Sequence, residues 1–292
     1  MTTTTSTGKS ILRPGRADDA TACGQICYDA FCAIARKHNF PPDFPAPDVA
    51  QGLMKWVLSR GDVYGVVAEL GGRVVGSNFL WENGPIAGVG PITVDTNVQD
   101  GSIGRRLMEA VLERARERRF AGVRLVQSGY HARSLALYTK LGFVVREPLV
   151  NIQGAPLKLQ IAGHAVRAAK ESDVEGCADL CRRVHGHDRS GELRDAIGQG
   201  SARVVEHDGR ISGYATDIGF FGHAACESNT DLKALIGAAP AFSGPGFLLP
   251  SRNHDVFEWC LNHGLRVVQT MTLMSVGLYN EPAGAFLPSI LF

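Results

Sequence analysis

An internal repeat constrains this chain more than any other feature. Leu12-Arg13 opens a run that continues through Asp19, Cys23, Ile26 and Cys27, and Val166-Arg167 opens a second through Asp173, Cys177, Leu180 and Cys181. Arg13, Asp19, Cys23 and Cys27 each recur 154 residues later, at 167, 173, 177 and 181, without a gap. Two more islands follow in the same order. Val66-Val67 and Gly72-Arg73-Val74-Val75-Gly76 face Val204-Val205 and Gly209-Arg210-Ile211-Ser212-Gly213, and Leu141-Gly142-Phe143-Val144-Val145 faces His263-Gly264-Leu265-Arg266-Val267-Val268. Three ordered islands mark two copies of one fold. At ~150 residues per domain, a length of 292 accommodates both. The expected organisation is a first domain over 1–152, a loose Gly- and Ala-rich linker over 153–163, and a second domain over 164–292.

Composition excludes several classes. With 45% hydrophobic and 20% charged residues the chain has the balance of a globular protein rather than a disordered one. Lys+Arg 30 against Asp+Glu 29 leaves a net charge of +1, which argues for neither a nucleic-acid nor a membrane partner. No run approaches the ~20 apolar residues of a membrane span, and Met1–Lys9 lacks the apolar core of a signal peptide. Seven cysteines, an odd and sparse count, argue against a disulfide framework, so a cytoplasmic location is expected.

Within the first copy the pattern predicts a strand at Ile11–Arg13, a helix over about Asp19–Lys37 and a second over Ala50–Ser59. Tyr64–Leu70 and Val74–Leu80 flank Gly71-Gly72, a hairpin signal. Ile86–Val94 is a third long strand, Ile103–Arg118 an amphipathic helix, Val123–Gln127 a strand, Ala132–Leu141 a helix, and Phe143–Val150 the closing strand. The class is α/β, a mixed and mostly antiparallel sheet flanked by helices.

The chemistry concentrates in two stretches. In Ile92–Met108 a strand ends at Val94, a Gly-containing turn follows, and a helix starts near Ile103. Amides at a helix N-terminus have no intrahelical partner and attract anions, helped by the helix dipole. Gly101 and Gly104 open the way for a phosphate, and Arg105 and Arg106 add charge. The second stretch, His131–Phe143, contains Ser134, Leu137-Tyr138, Lys140 and Gly142-Phe143. Together these resemble the acyl-CoA loop and following helix of the GNAT N-acetyltransferase superfamily. The family's loop pattern Gln/Arg-x-x-Gly-x-Gly/Ala is met by Gln99-Asp100-Gly101-Ser102-Ile103-Gly104, with Ser at the first Gly position. The helix pattern Asn-x-x-Ser/Ala-x-x-Leu-Tyr-x-Lys-x-Gly-Phe is met from Ser134 to Phe143, with His131 where Asn is common. The resemblance covers about Ile11–Val150.

The resemblance implies direct acetyl transfer from acetyl-CoA to an amine, with no metal. The cofactor would lie along Ile92, Thr93 and Val94, whose backbone pairs with the pantetheine arm. Amides from Gln99 to Arg105 would hold the pyrophosphate, with His131, Ser134 and Lys140 contributing from the second stretch. Tyr138 is placed to protonate the departing thiolate. A carboxylate must accept the amine's proton, and Glu82 is the first candidate, Asp95 the second.

In the second copy the loop motif is gone. Its counterpart reads Cys226-Glu-Ser-Asn-Thr-Asp231-Leu, where Asp231 would oppose a pyrophosphate, and Cys260 stands where Tyr138 does. The expectation is a single N-terminal active site beside a degenerate GNAT-like half. Tyr279, Asn280 and Glu281 in that half form a polar cluster suited to an amine substrate. His185-Gly-His187-Asp188 and the Cys-x-x-x-Cys pairs fit packing better than metal binding. The expected partner is a small-molecule amine, acting on a monomer or homodimer. The alternatives are a protein lysine or N-terminal acetyltransferase, and a non-catalytic acyl-CoA-binding sensor.

Overall fold

The computed structural model describes residues 10–98 and 102–291. Its contacts divide the chain into two compact units, residues up to 82 together with 86–123, and 83–85 together with 124 onward.

The first unit contains β1 (Ile11–Pro14), α1 (Ala20–Lys37), α2 (Pro47–Ser59), β2 (Val63–Leu70), β3 (Arg73–Trp81), β4 (Ile86–Val89), β5 (Thr93–Val94) and α3 (Ile103–Glu117). The strands run β1-β2-β3-β4, with β5 also on β3, and each pair is antiparallel. Gly71 and Gly72 both have positive φ between the paired residues Leu70 and Arg73, so the hairpin turn needs the conformation that glycine adopts freely. On α1, Cys23 and Cys27 lie one turn apart and are buried. A Cβ on Gly24 would come within 2.4 Å of the Gln51 backbone, so glycine permits the close approach of α1 and α2. α2 starts at Pro47, which suits a first helical position where the N–H is unneeded. The expected long strand Ile86–Val94 is instead two short ones, because the Gly90-Pro91 pair interrupts it. On α3, Ile103, Leu107, Met108, Val111, Leu112 and Ala115 are buried at helical spacing, leaving the arginines outside.

The second unit contains β6 (Gly122–Ser128, all but its first two residues), α4 (Ala132–Lys140), β7 (Val144–Gln153), β8 (His164–Ala168), α5 (Val174–His185), α6 (Ser190–Gln199), β9 (Arg203–His207), β10 (Arg210–Ala215), β11 (Ala224–Cys226), α7 (Asn229–Ala238), β12 (Phe247–Pro250), α8 (His254–Asn262), β13 (Arg266–Gly277) and β14 (Ala285–Leu287). Residues 154–163 carry neither helix nor strand. One set of strands runs β6-β13-β7-β12 and the other β14-β11-β10-β9-β8. β7, the last strand of the first repeat, is flanked on both sides by strands of the second. β13 pairs antiparallel with it from Arg266 opposite Gln153 to Ser275 opposite Val144, and β12 from Phe247 opposite Ile152 to Pro250 opposite Leu149. Both edges of β7 are thereby covered, and the compact units are not the two repeats.

The repeat is visible in side-chain detail. Arg13 donates to Asp19 (2.8 Å, twice) and to Glu69 (2.9 Å), while Arg167 donates to Asp173 (2.7 and 2.9 Å) and to Glu206 (2.6 and 2.9 Å). In both copies the aspartate also accepts from a backbone N–H three residues earlier, that of Arg16 or Lys170, at 2.8 Å. Hydrogen bonds from the arginine hold both aspartates below the usual carboxylate range. All seven cysteines are buried and free of disulfides. Burial raises the Cys23 thiol to about 11 and the Cys177 thiol to about 12, so these sulfurs are inert packing groups. Among the described residues no helix is long and apolar enough to cross a membrane.

A buried polar network lies in the second unit. Arg189 donates to Glu192 (2.9 and 2.7 Å), Nδ1 of His223 lies 3.2 Å from Glu192, and the Tyr214 hydroxyl lies 3.0 Å from Nε2 of His223. Burial and nearby arginines push His187 and His223 down to about 4. In the unfolded chain each histidine titrates near its ordinary ~6.5. Between pH ~6.5 and ~4 the unfolded chain therefore binds more protons than the folded one, and stability falls as pH falls through that window. Each site accounts for up to about 3 kcal/mol at the lower end. Thermal unfolding followed by circular dichroism is expected to show a marked fall in Tm from pH 7 to 5, with a shallower slope in His187→Gln. A Tm independent of pH across that range would contradict this.

Candidate active site

In the first unit, Val94 ends β5, whose Val94 and Thr93 pair with Gly76 and Ser77 of β3. A Cβ at Gly76 would meet the Thr93 carbonyl at 2.8 Å, so glycine lets β5 lie close. Asp95 then shapes the turn. It accepts from the backbone and side-chain N–H of Asn97 (2.9 Å each) and from Arg73 (2.8 Å). Burial disfavours its charge, but the Asn97 amide and Arg73 outweigh that and hold Asp95 below the usual carboxylate range. Gln99, Asp100 and Gly101 lie outside the described residues.

Among the described residues no side chain caps the start of α3. Ser102 is the N-cap, yet its side chain makes no capping hydrogen bond, and its φ of 58° is the left-handed conformation that favours glycine. This is the position where the family pattern has Gly, so the departure in sequence is one of residue type and not of backbone shape. Ile103 is buried and pins the first turn, Gly104 is half-buried, and Arg105 makes only a 3.4 Å surface pair with Glu109. Arg106 is turned away, donating to the carbonyl and hydroxyl of Ser10 (2.7 and 2.6 Å). The anion-attracting groups here are thus the first-turn amides and Arg105.

The corresponding helix of the second repeat is closed by its own residues. Ser228 caps α7, accepting from the Asp231 amide (3.2 Å), while Asp231 accepts from the Ser228 amide (3.0 Å) and from the Ser212 hydroxyl (2.5 Å). This reciprocal cap puts a buried carboxylate at the helix start.

In the second unit, α4 brings three of the expected residues into one line. Ser134 and Tyr138, four residues apart, share a helix face. Ser134 Oγ lies 2.8 Å from Nδ1 of His131. Burial raises Tyr138 to about 12, against a smaller opposing effect of Ser134, so the phenol keeps its proton throughout the neutral range. Lys140 is exposed. In the second repeat Cys260 is fully buried on α8, and burial raises its thiol to about 12.

The expected base meets a different geometry. Glu82 accepts at both oxygens from Arg114 (2.7 and 3.1 Å), with Arg118 at 3.7 Å, so it ties α3 to the end of β3. Tyr279, Asn280 and Glu281 do not form one cluster. The Asn280 amide donates to the His185 carbonyl (3.2 Å) and packs on Gly186, where a Cβ would lie 2.2 Å from it. Glu281 is exposed, 3.5 Å from Arg252. Tyr279 is half-buried against Arg124 and Arg146, whose guanidinium carbons lie 5.1 and 5.0 Å from its ring centroid. Sequence reasoning missed these two arginines, although Arg124 interrupts the apolar run Val123–Val126 and was open to notice.

Comparison with known proteins gives the family. The model of the acetyltransferase (GNAT) family matches residues 29–143. An IAA acetyltransferase from Azospirillum brasilense is 33% identical over 104 residues, covering 35% of this chain and 68% of that protein. Among solved structures, a protein from Pyrococcus horikoshii assigned as an acetyltransferase aligns with a TM-score of 0.72 at 20% identity, over 94% of each chain. A tandem GNAT protein from the clavulanic acid biosynthesis pathway aligns with a TM-score of 0.55 at 15% identity, over 92% of this chain and 98% of its own. The chain belongs to the GNAT acetyltransferase family, in the tandem arrangement. It is an acyltransferase of a family that uses acetyl-CoA.

Proposed function

We propose that this enzyme moves the acetyl group of acetyl-CoA directly to the amine of a small molecule, with one cofactor site per chain, carried by the first repeat. The contrast between the two helix starts carries this reading: among the described residues no side chain caps α3, whereas Ser228 and Asp231 form a reciprocal cap at the start of α7. First-turn amides and Arg105 hold the pyrophosphate, and the Val94 backbone pairs with the pantetheine arm. The neutral amine nitrogen attacks the thioester carbonyl carbon, the tetrahedral intermediate collapses, the C–S bond breaks, and the thiolate takes the proton of Tyr138. The amine's own proton leaves to solvent or to a carboxylate. A sensor that only binds acyl-CoA has no use for a buried phenol that keeps its proton across the neutral range. The disulfide-free cysteines fit a cytoplasmic enzyme, acting as monomer or homodimer.

Calorimetric titration of acetyl-CoA is expected to show one site per chain. Two sites would reject the degenerate role of the second repeat, and no binding would reject the enzyme reading for this chain. Glu82→Gln separates base from scaffold. With both oxygens engaged by Arg114, the substitution is expected to lower Tm by several degrees and change kcat less than tenfold. A fall in kcat above about a hundredfold at unchanged Tm would make Glu82 the general base.

A further inference from the structure

α4 is the crossover from β6 to β7, yet these two strands are not neighbours in the sheet: β13, the last long strand of the second repeat, lies between them. The distance that the first repeat's crossover spans is therefore set by a strand of the second. β13 also meets both ends of that crossover. At its entry the Gly129 N–H donates to the Thr270 carbonyl (2.8 Å). At its exit a Cβ on Gly142 would stand 3.9 Å from Cγ2 of Val276, and Val144, at the start of β7, pairs with Ser275.

The same join is built in the second repeat. With Gly142 set against Gly264, Gly129 falls on Ser251 and Thr270 on Pro148, and the Ser251 N–H donates to the Pro148 carbonyl (2.9 Å). The turns that follow also match. His131 N–H to the Ser128 carbonyl (3.0 Å) has its counterpart in Asn253 to Pro250 (3.0 Å), and Ala132 to Tyr130 (3.1 Å) in His254 to Arg252 (2.9 Å). Each repeat lends its last long strand to the other, since β7 lies between β13 and β12 as β13 lies between β6 and β7. One position differs. A Cβ on Gly129 would come within 2.8 Å of the Thr270 hydroxyl oxygen and 3.1 Å of its carbonyl oxygen. Ser251 carries a Cβ, but opposite a proline that has no hydroxyl. Threonine is stiff about its first side-chain torsion, so Thr270 reserves position 129 for glycine. A methyl added there pushes the turn, and α4 behind it, away from β13.

We infer that Gly129 and Thr270 are positioning residues for the transfer: through their contact, β13 of the second repeat fixes where α4 holds the Tyr138 phenol. The second repeat, in which Cys260 stands where Tyr138 does, thereby acts on the reaction of the first. A proton passes between heavy atoms held about 2.6–3.2 Å apart. A displacement of about 1 Å in a reacting group can cost about a hundredfold in rate. This rests on Tyr138 as the acid of the proposed transfer and adds the element that places it.

The test labels the full chain with 3-fluorotyrosine and reads Tyr138 by fluorine NMR, its signal assigned by its loss in Tyr138→Phe. Acetyl-CoA is expected to move that signal in the parent protein. Gly129→Ala is expected to displace the signal in the absence of acetyl-CoA and to abolish the further movement that acetyl-CoA causes, while the signals of Tyr28, Tyr64 and Tyr214 stay in place. Adding Thr270→Ala to Gly129→Ala removes the nearest obstacle and is expected to restore both the signal and its response. Thr270→Ile, at an exposed position, applies a similar push from the other strand and covers the case in which Gly129→Ala does not fold. A Tyr138 signal at the parental position in Gly129→Ala and Thr270→Ile overturns the inference, as does a displaced signal that Thr270→Ala does not restore. If the variants behave as expected but acetyl-CoA leaves the parental Tyr138 signal unmoved, the contact stands as what places α4, and the reading of Tyr138 as the acid falls.

Discussion

Gly104→Glu is expected to abolish acetyl-CoA binding while leaving the protein folded, with Tm unchanged or slightly raised. The two expectations come from one cause. Position 104 is in the first turn of α3, which carries no acidic residue and no side-chain cap. A glutamate there is favourable to the helix itself, by about 0.3–1 kcal/mol, because its charge complements the N-terminal dipole. That same carboxylate competes with the pyrophosphate for the first-turn amides. Losing two charge-assisted hydrogen bonds at ~1.5–3 kcal/mol each weakens binding about a thousandfold. Calorimetry for affinity and thermal unfolding for stability separate the outcomes. Near-parental affinity at unchanged Tm would move the cofactor away from α3.

Tyr138→Phe is expected to lower kcat about a hundredfold without changing acetyl-CoA affinity. The phenol is buried, and burial holds its proton to about pH 12. General acids are worth about 10²–10⁴ in rate, and a thiolate is a good enough leaving group to place this one at the lower end. Phenylalanine keeps the ring that packs near Phe143, so Tm should move little. Because Tyr138 stays protonated, the parental kcat should show no basic-limb fall attributable to it below about pH 11. A variant as fast as the parent would remove Tyr138 from the reaction and favour water as the proton source.

The strand end, the helix start and the helix α4 in these two stretches were legible in sequence because each is local. A helix start that binds an anion needs only a strand end, small residues and a turn within a dozen positions, and all of these are consecutive in Ile92–Met108. The shared face of Ser134 and Tyr138 on α4 is likewise set by helical spacing alone. The carboxylates were different. Glu82 and Asp95 look alike as loop acids, and only their partners distinguish them: Arg114 lies 32 positions from Glu82, and Arg73 lies 22 from Asp95. Nothing in a local pattern encodes such a pairing.

By itself, then, the sequence determined the repeat, the α/β class and the family, because each is written in short-range spacing and in residues that recur at a constant offset. Matching Arg13-Asp19 and Arg167-Asp173 pairs confirm how faithfully the repeat is kept. The tertiary structure decided three things. It placed β13 and β12 on either side of β7, so that strands of the second repeat complete the edges of the first. It closed the start of α7 with Asp231 and left that of α3 without a side-chain cap. It gathered Arg124, Arg146 and Tyr279 from three separate segments around one buried hydroxyl. Strand pairing, burial and charge balance are sums over residues distant in the chain, and they acquire values only when the chain is folded.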